Sequence, residues 1–60
     1  MTNMSKEEII NTMRSWYMPN YFDLEMFDYY SINDEEVYKI YLKELSTFGD
    51  ELNKELEKHL

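Results

Sequence analysis

The side chains with chemical potential lie mainly between Asn20 and Glu36, in NYFDLEMFDYYSINDEE. This stretch holds six carboxylates (Asp23, Glu25, Asp28, Asp34, Glu35, Glu36) and five rings (Tyr21, Phe22, Phe27, Tyr29, Tyr30). No Lys or Arg occurs between Arg14 and Lys39, so the block carries charge of one sign. Clustered carboxylates can act as general acid and base, ligate a hard cation, or face a cationic surface. General acid–base or nucleophilic catalysis needs a nucleophile beside a base, or paired groups of shifted pKa. The chain has no Cys and a single His at position 59, where a penultimate side chain is expected to be mobile. Ser5 is accounted for by helix capping, and Asp34, Glu35 and Glu36 stand where a helix N-terminus attracts acids anyway. The chain therefore reads as a non-enzyme.

Metal and cofactor chemistry find no better footing. Zinc needs at least three converging ligands at characteristic spacing, and no such pattern is present. Asn33 to Glu36 lack the alternating oxygen ligands and central glycine of a calcium loop. No cofactor is implied.

What remains is recognition. Thirteen acids against six bases give a net charge of −7 on 60 residues. Such a field repels phosphate backbones and anionic membranes and attracts basic surfaces. An acidic balance also serves solubility, which is the plainer use of the same residues. Tyrosines among carboxylates, however, combine large contact area with low entropy cost, as protein-binding surfaces do. The surface expected to meet a partner is Tyr21, Asp23, Glu25, Asp28, Tyr29, Asp34, Glu35 and Glu36. The partner expected is a basic, nucleic-acid-binding protein, and the chain would act as its inhibitor or modulator; the alternative is a small helical adaptor or homo-oligomeric scaffold whose working surface is the apolar stripe of the long C-terminal helix, from Val37 to Leu56. Carboxylates on successive helical turns lie about 5–6 Å apart, against one charge per roughly 1.7 Å of duplex DNA. One helix face is too sparse to copy a duplex, whereas Asp23, Glu25 and Asp28 beside Asp34, Glu35 and Glu36 would make a short two-row pattern. Small acidic decoys of this kind suit phages and mobile elements, and the Asn-, Lys-, Ile- and Tyr-rich composition suits an AT-rich genome.

The elements that must carry these residues are helical. Ser5 with Glu8 forms a capping box, with Met4 and Ile9 at the staple positions. Ile9, Ile10, Met13, Trp16 and Tyr17 then recur at helical spacing, predicting a helix over 6–17 that Pro19 ends by turning Met18 away from helical geometry. Asn20 is placed to cap a second helix over 21–30. Phe22, Leu24 and Met26 also alternate with acids as a half-buried strand would, but no second alternating run offers that strand a partner. Asn33, Glu36, Ile32 and Val37 repeat the capping pattern and open a third helix over 34–59. Glu35 to Lys39 and Asp50 to Lys54 are i, i+4 pairs in the favourable order.

The fold expected is all-α, a small three-helix bundle in a single domain. The apolar stripe stays in phase across Gly49, which favours a continuous third helix about 39 Å long. Two short helices leave its far half, Phe48, Leu52 and Leu56, partly bare. Either a second copy covers them as a homodimer, or the helix bends at Gly49 and folds back. Most of the ten rings are needed for the core, and Tyr17, Tyr21, Tyr29 and Tyr38 are the ones expected at the surface. No run approaches the roughly 20 apolar residues of a membrane span, and MTNMSKEEII lacks the features of a signal peptide, so a cytoplasmic setting is expected.

Overall fold

In the computed structural model, residues 3–22 and 30–60 are described. The chain is a small all-α three-helix bundle. The first rod comprises α1 (Lys6–Thr12), a π-helical stretch (Met13–Tyr17) and α2 (Met18–Tyr21); α3 (Asp34–Phe48) and α4 (Asp50–Glu57) complete it.

The local signals at both main helix starts operate. The Ser5 hydroxyl accepts from the Glu8 amide at 3.1 Å, and the Glu8 carboxylate accepts from the Ser5 amide at 2.9 Å. Met4 and Ile9 are both buried beside this box. At α3, Asn33 Oδ1 accepts from the Glu36 amide at 2.9 Å, but the Glu36 carboxylate turns to Lys39 Nζ at 3.4 Å. Only half of the box therefore forms there.

The first helix does not stop at Tyr17. A π turn inserts one residue into the helical repeat, and the Met18 amide reaches back five residues to the Met13 carbonyl. The apolar spacing explains why. Ile9, Met13, Met18 and the half-buried Phe22 follow a 4, 5, 4 sequence, and only a widened turn brings Met13 and Met18 onto one face. Both methionines are fully buried. Thr12, at the junction, bonds its hydroxyl to the Glu8 carbonyl at 2.8 Å, a back-bond of the kind that loosens helices. Pro19 then falls in the first turn of α2, where a residue lacking an N–H is tolerated, so it does not end the helix. Asn20 lies inside that turn and donates to the Trp16 carbonyl at 2.7 Å instead of capping a new helix. The break comes at Phe22, whose backbone is extended. Of the helix expected over 21–30, Tyr21 thus belongs to the first rod and Tyr30 is helical; residues 23–29 lie outside the described ones.

The third helix is not continuous. Gly49 adopts φ 65° and ψ −150°, a conformation essentially reserved for glycine, and α4 starts anew at Asp50. The molecule spans 31 × 20 × 19 Å, shorter than the straight helix would be. The fold-back places Leu52 (3% exposed) and Leu56 (0%) in the chain's own core, so neither is available to a second copy; Phe48 stays 54% exposed. The core they join contains Ile9, Ile10, Met13, Tyr17, Met18, Val37 and Tyr41. Across the hairpin, the buried Tyr41 hydroxyl donates to Asn53 Oδ1 at 2.5 Å. Among the described residues no buried side-chain polar atom lacks a partner.

The pairing expected within helices also shifts. Glu35 reaches across to Lys6 rather than to Lys39, and Lys54 pairs with Glu51 rather than Asp50. Among the described residues no helix is long and apolar enough to cross a membrane.

Two buried tyrosines make the fold sensitive to alkali. Burial, then the Glu44 carboxylate, pushes the Tyr17 hydroxyl above its ordinary value, and burial does the same at Tyr41. A raised folded pKa means that the unfolded chain loses the proton first as pH rises. The stabilisation is thus complete below the ordinary tyrosine value of about 10 and is lost above it. Thermal melts should be unaffected by these groups up to pH 9 and should fall between pH 10 and 11.5. A Tyr17→Phe/Tyr41→Phe chain should show a shallower fall, and an unchanged slope would remove these hydroxyls as its cause.

Candidate protein-binding surface

The acidic first turn of α3 is the first surface to consider. Asp34, Glu35 and Glu36 stand at the positive end of the helix dipole and are exposed. Each is engaged by a cation of the same chain. Arg14 Nη2 meets Asp34 Oδ1 at 2.6 Å, with Arg14 Nη1 donating to the Tyr30 carbonyl at 3.3 Å. Lys6 Nζ meets Glu35 at 3.3 Å while lying 4.9 Å from the centre of the Tyr38 ring, and Lys39 meets Glu36 at 3.4 Å. The Arg14 and Lys6 contacts tie the start of α3 to the first rod, while the Lys39 contact lies within α3. The Lys6–Glu35 and Lys39–Glu36 pairs are exposed on both sides and contribute only about 0–1 kcal/mol each, whereas Arg14, largely covered and also bonded to the Tyr30 carbonyl, holds Asp34 more firmly. Of the other residues expected at the partner surface, Tyr21 is exposed; Asp23, Glu25, Asp28 and Tyr29 lie outside the described residues.

A second surface emerges only with the fold-back. Trp16 and Tyr17 from the π stretch, Tyr21 from α2, and Phe48, Glu51, Leu52 and Glu55 from the α3–α4 hairpin line one cleft. Its rings are mutually ordered. Tyr17 stacks on Tyr21 with centroids 4.7 Å apart, and Trp16 meets Tyr21 edge-on at 5.6 Å. His59 stacks against Trp16 at 3.9 Å, nearly parallel, so the chain's single histidine is docked rather than loose. Tyr17, expected at the surface, is buried because Glu44 satisfies its hydroxyl at 2.9 Å. Tyr38 is half-buried beside Tyr41.

Two large apolar side chains from different elements, Tyr21 (60% exposed) and Phe48 (54%), thus border one cleft. On the α4 side stand the carboxylates of Glu51 and Glu55, one helical turn apart. Lys54 and Lys58 pair with them at 3.5 and 3.2 Å, from exposed positions.

No family model, curated protein or solved structure matches this chain.

The cleft has an apolar lining, with two lysine-paired glutamates at its α4 edge. It offers no nucleophile poised beside a base, and the Tyr17 hydroxyl, held protonated by burial and by Glu44, is no base at neutral pH. Among the described residues no three His or carboxylate groups converge as metal ligands. What such a surface can do is seat a side chain that is apolar along its length and cationic at its tip. Reading the sequence missed Trp16, Glu51 and Glu55 as neighbours. The i, i+4 spacing of the two glutamates was a visible signal, whereas the nearness of Trp16 depends on the hairpin at Gly49.

Proposed function

We propose that this chain is a small acidic modulator that binds a basic protein surface, of the kind that otherwise holds nucleic acid, within the cytoplasm. The observation that carries the reading is the aromatic cleft rimmed by Glu51 and Glu55, with Tyr21 and Phe48 exposed on a chain of net charge −7. Its role is binding rather than catalysis. Long-range attraction brings the partner in, and contact with exposed rings supplies the affinity that charge alone does not. Asp34, Glu35 and Glu36 contribute to steering; own-chain cations pair with them as Lys54 and Lys58 pair with Glu51 and Glu55, so it is the exposed Tyr21 and Phe48 that centre the surface on the cleft.

The test is capture on the immobilised chain from bacterial lysate across a salt series, followed by a displacement assay with labelled duplex DNA on each captured protein. Retention should fall by about tenfold or more between 50 and 200 mM salt, and the chain should displace the duplex. Salt-independent capture, or captured proteins that keep their duplex, would overturn the reading.

A further inference from the structure

We propose that the cleft between the π stretch and α4 receives an arginine side chain of the basic partner, its guanidinium lying over the rings and meeting Glu51 and Glu55. This deepens the reading above and rests on it for the partner's charge.

Three observations converge on an occupant of this chemistry. The first is exposure. Tyr21 and Phe48 stand on separate elements, yet both border this cleft while more than half exposed, and apolar surface gathered at one place marks an interaction site. The second is backbone. Trp16 and Tyr17 belong to a π turn, a feature that recurs at functional sites, and here it supplies part of the cleft wall. The third is charge. An anion would be repelled by a chain of net charge −7, and an occupant has to match both an apolar lining and the exposed carboxylates of Glu51 and Glu55 at its edge. A cation on an apolar stem meets both demands.

Arginine fits better than lysine. Its guanidinium is planar, stacks on aromatic faces, holds carboxylates through two parallel N–H donors and is weakly hydrated; an ammonium is compact and keeps its water. Glu51 and Glu55 are not locked against it, because Lys54 and Lys58 reach them as exposed i, i+3 partners that an incoming cation can replace.

Acetylated octa-arginine and octalysine peptides, titrated into the isotopically labelled full chain at 0.1 M salt, separate the outcomes. The arginine peptide should bind about fivefold or more tighter. Its shifts should centre on the Trp16 indole N–H and the amides of Phe48, Glu51 and Glu55. Both E51Q/E55Q and F48A, whose altered side chains are solvent-facing, should retain the wild-type melting profile and lose the preference. Equal affinities with shifts spread along the acidic surface, no binding of either peptide, or a preference that survives in E51Q/E55Q would overturn the proposal. Salt-sensitive capture that persists in E51Q/E55Q would also overturn the arginine site while leaving the basic-partner reading intact. Arginine selectivity in the cleft without any duplex displacement would do the reverse.

Discussion

Replacement of Leu56 by alanine should lower the thermal midpoint by roughly 10 °C or more and leave a chain partly unfolded at 37 °C. Leu56 is fully buried, and truncating a buried leucine costs about 2–5 kcal/mol in lost burial and cavity formation. A chain of this length has on the order of 3–9 kcal/mol of total stability, from roughly 0.05–0.15 kcal/mol per residue. One side chain therefore holds a large share of the folded state. The matched control is Leu42→Ala on α3, an exposed leucine whose loss should move the midpoint by no more than about 2 °C. The result also tests where Leu56 resides. If it packs inside one chain, the loss in Leu56→Ala is independent of protein concentration; if it packs between copies, the midpoint of the parent chain rises with concentration and the variant abolishes that dependence. Circular-dichroism melts over a hundredfold range of concentration decide the matter.

Those features of the fold that depend on neighbours in sequence were legible, and those set by distant partners were not. Ser5 and Glu8 are three residues apart, so their reciprocal bonds form in almost any context; Asn33 and Glu36 show the same locality. The π turn required weighing two descriptions of one segment. Ile9, Ile10, Met13 and Tyr17 satisfy an ordinary helix, and only the added burial of Met18 favours inserting a residue. Burial of one large apolar side chain is worth about 1.5–3 kcal/mol, enough to outweigh the poorer geometry of a single widened turn.

At the surface the same division holds. That Asp34, Glu35 and Glu36 would be exposed acids at a helix start follows from position alone. The partners of Glu35 and Asp34 do not, because Lys6 and Arg14 lie 29 and 20 residues away. The cleft was further out of reach, since its walls come from two segments that meet only after the chain reverses at Gly49. Glycine there is compatible with both a continuous helix and a turn, and the stripe through Leu45, Phe48, Leu52 and Leu56 is in phase either way. What separates the two is the gain from burying Leu52 and Leu56 within one chain, roughly 3–6 kcal/mol for the pair, against the entropy of closing a short hairpin.

That near-balance makes Gly49 the position where a single substitution should change the architecture. Gly49→Ala places a Cβ where nothing lies within 4 Å, so crowding does not oppose it. The obstacle is the backbone: φ 65° with ψ −150° is strained for any L-residue, at a cost of about 1–3 kcal/mol. Alanine at the same time favours a straight helix over glycine by about 1 kcal/mol. The two effects add, tilting the chain toward an unbroken helix from Asp34 to Glu57. Such a helix would be about 36 Å long and would uncover Leu52 and Leu56, which a second copy could then cover by exchange of the same segment. Light scattering behind size exclusion should therefore find the parent chain monomeric and Gly49→Ala dimerising with concentration, with a lower midpoint in dilute solution. A chain of 60 residues is within reach of chemical synthesis, which provides the decisive control. D-alanine at position 49 tolerates positive φ and should restore the monomer and its midpoint, whereas a bulk-driven effect would be the same for both enantiomers. If Gly49→Ala remains monomeric with an unchanged midpoint, the positive φ at this residue is not what folds α4 back onto the core.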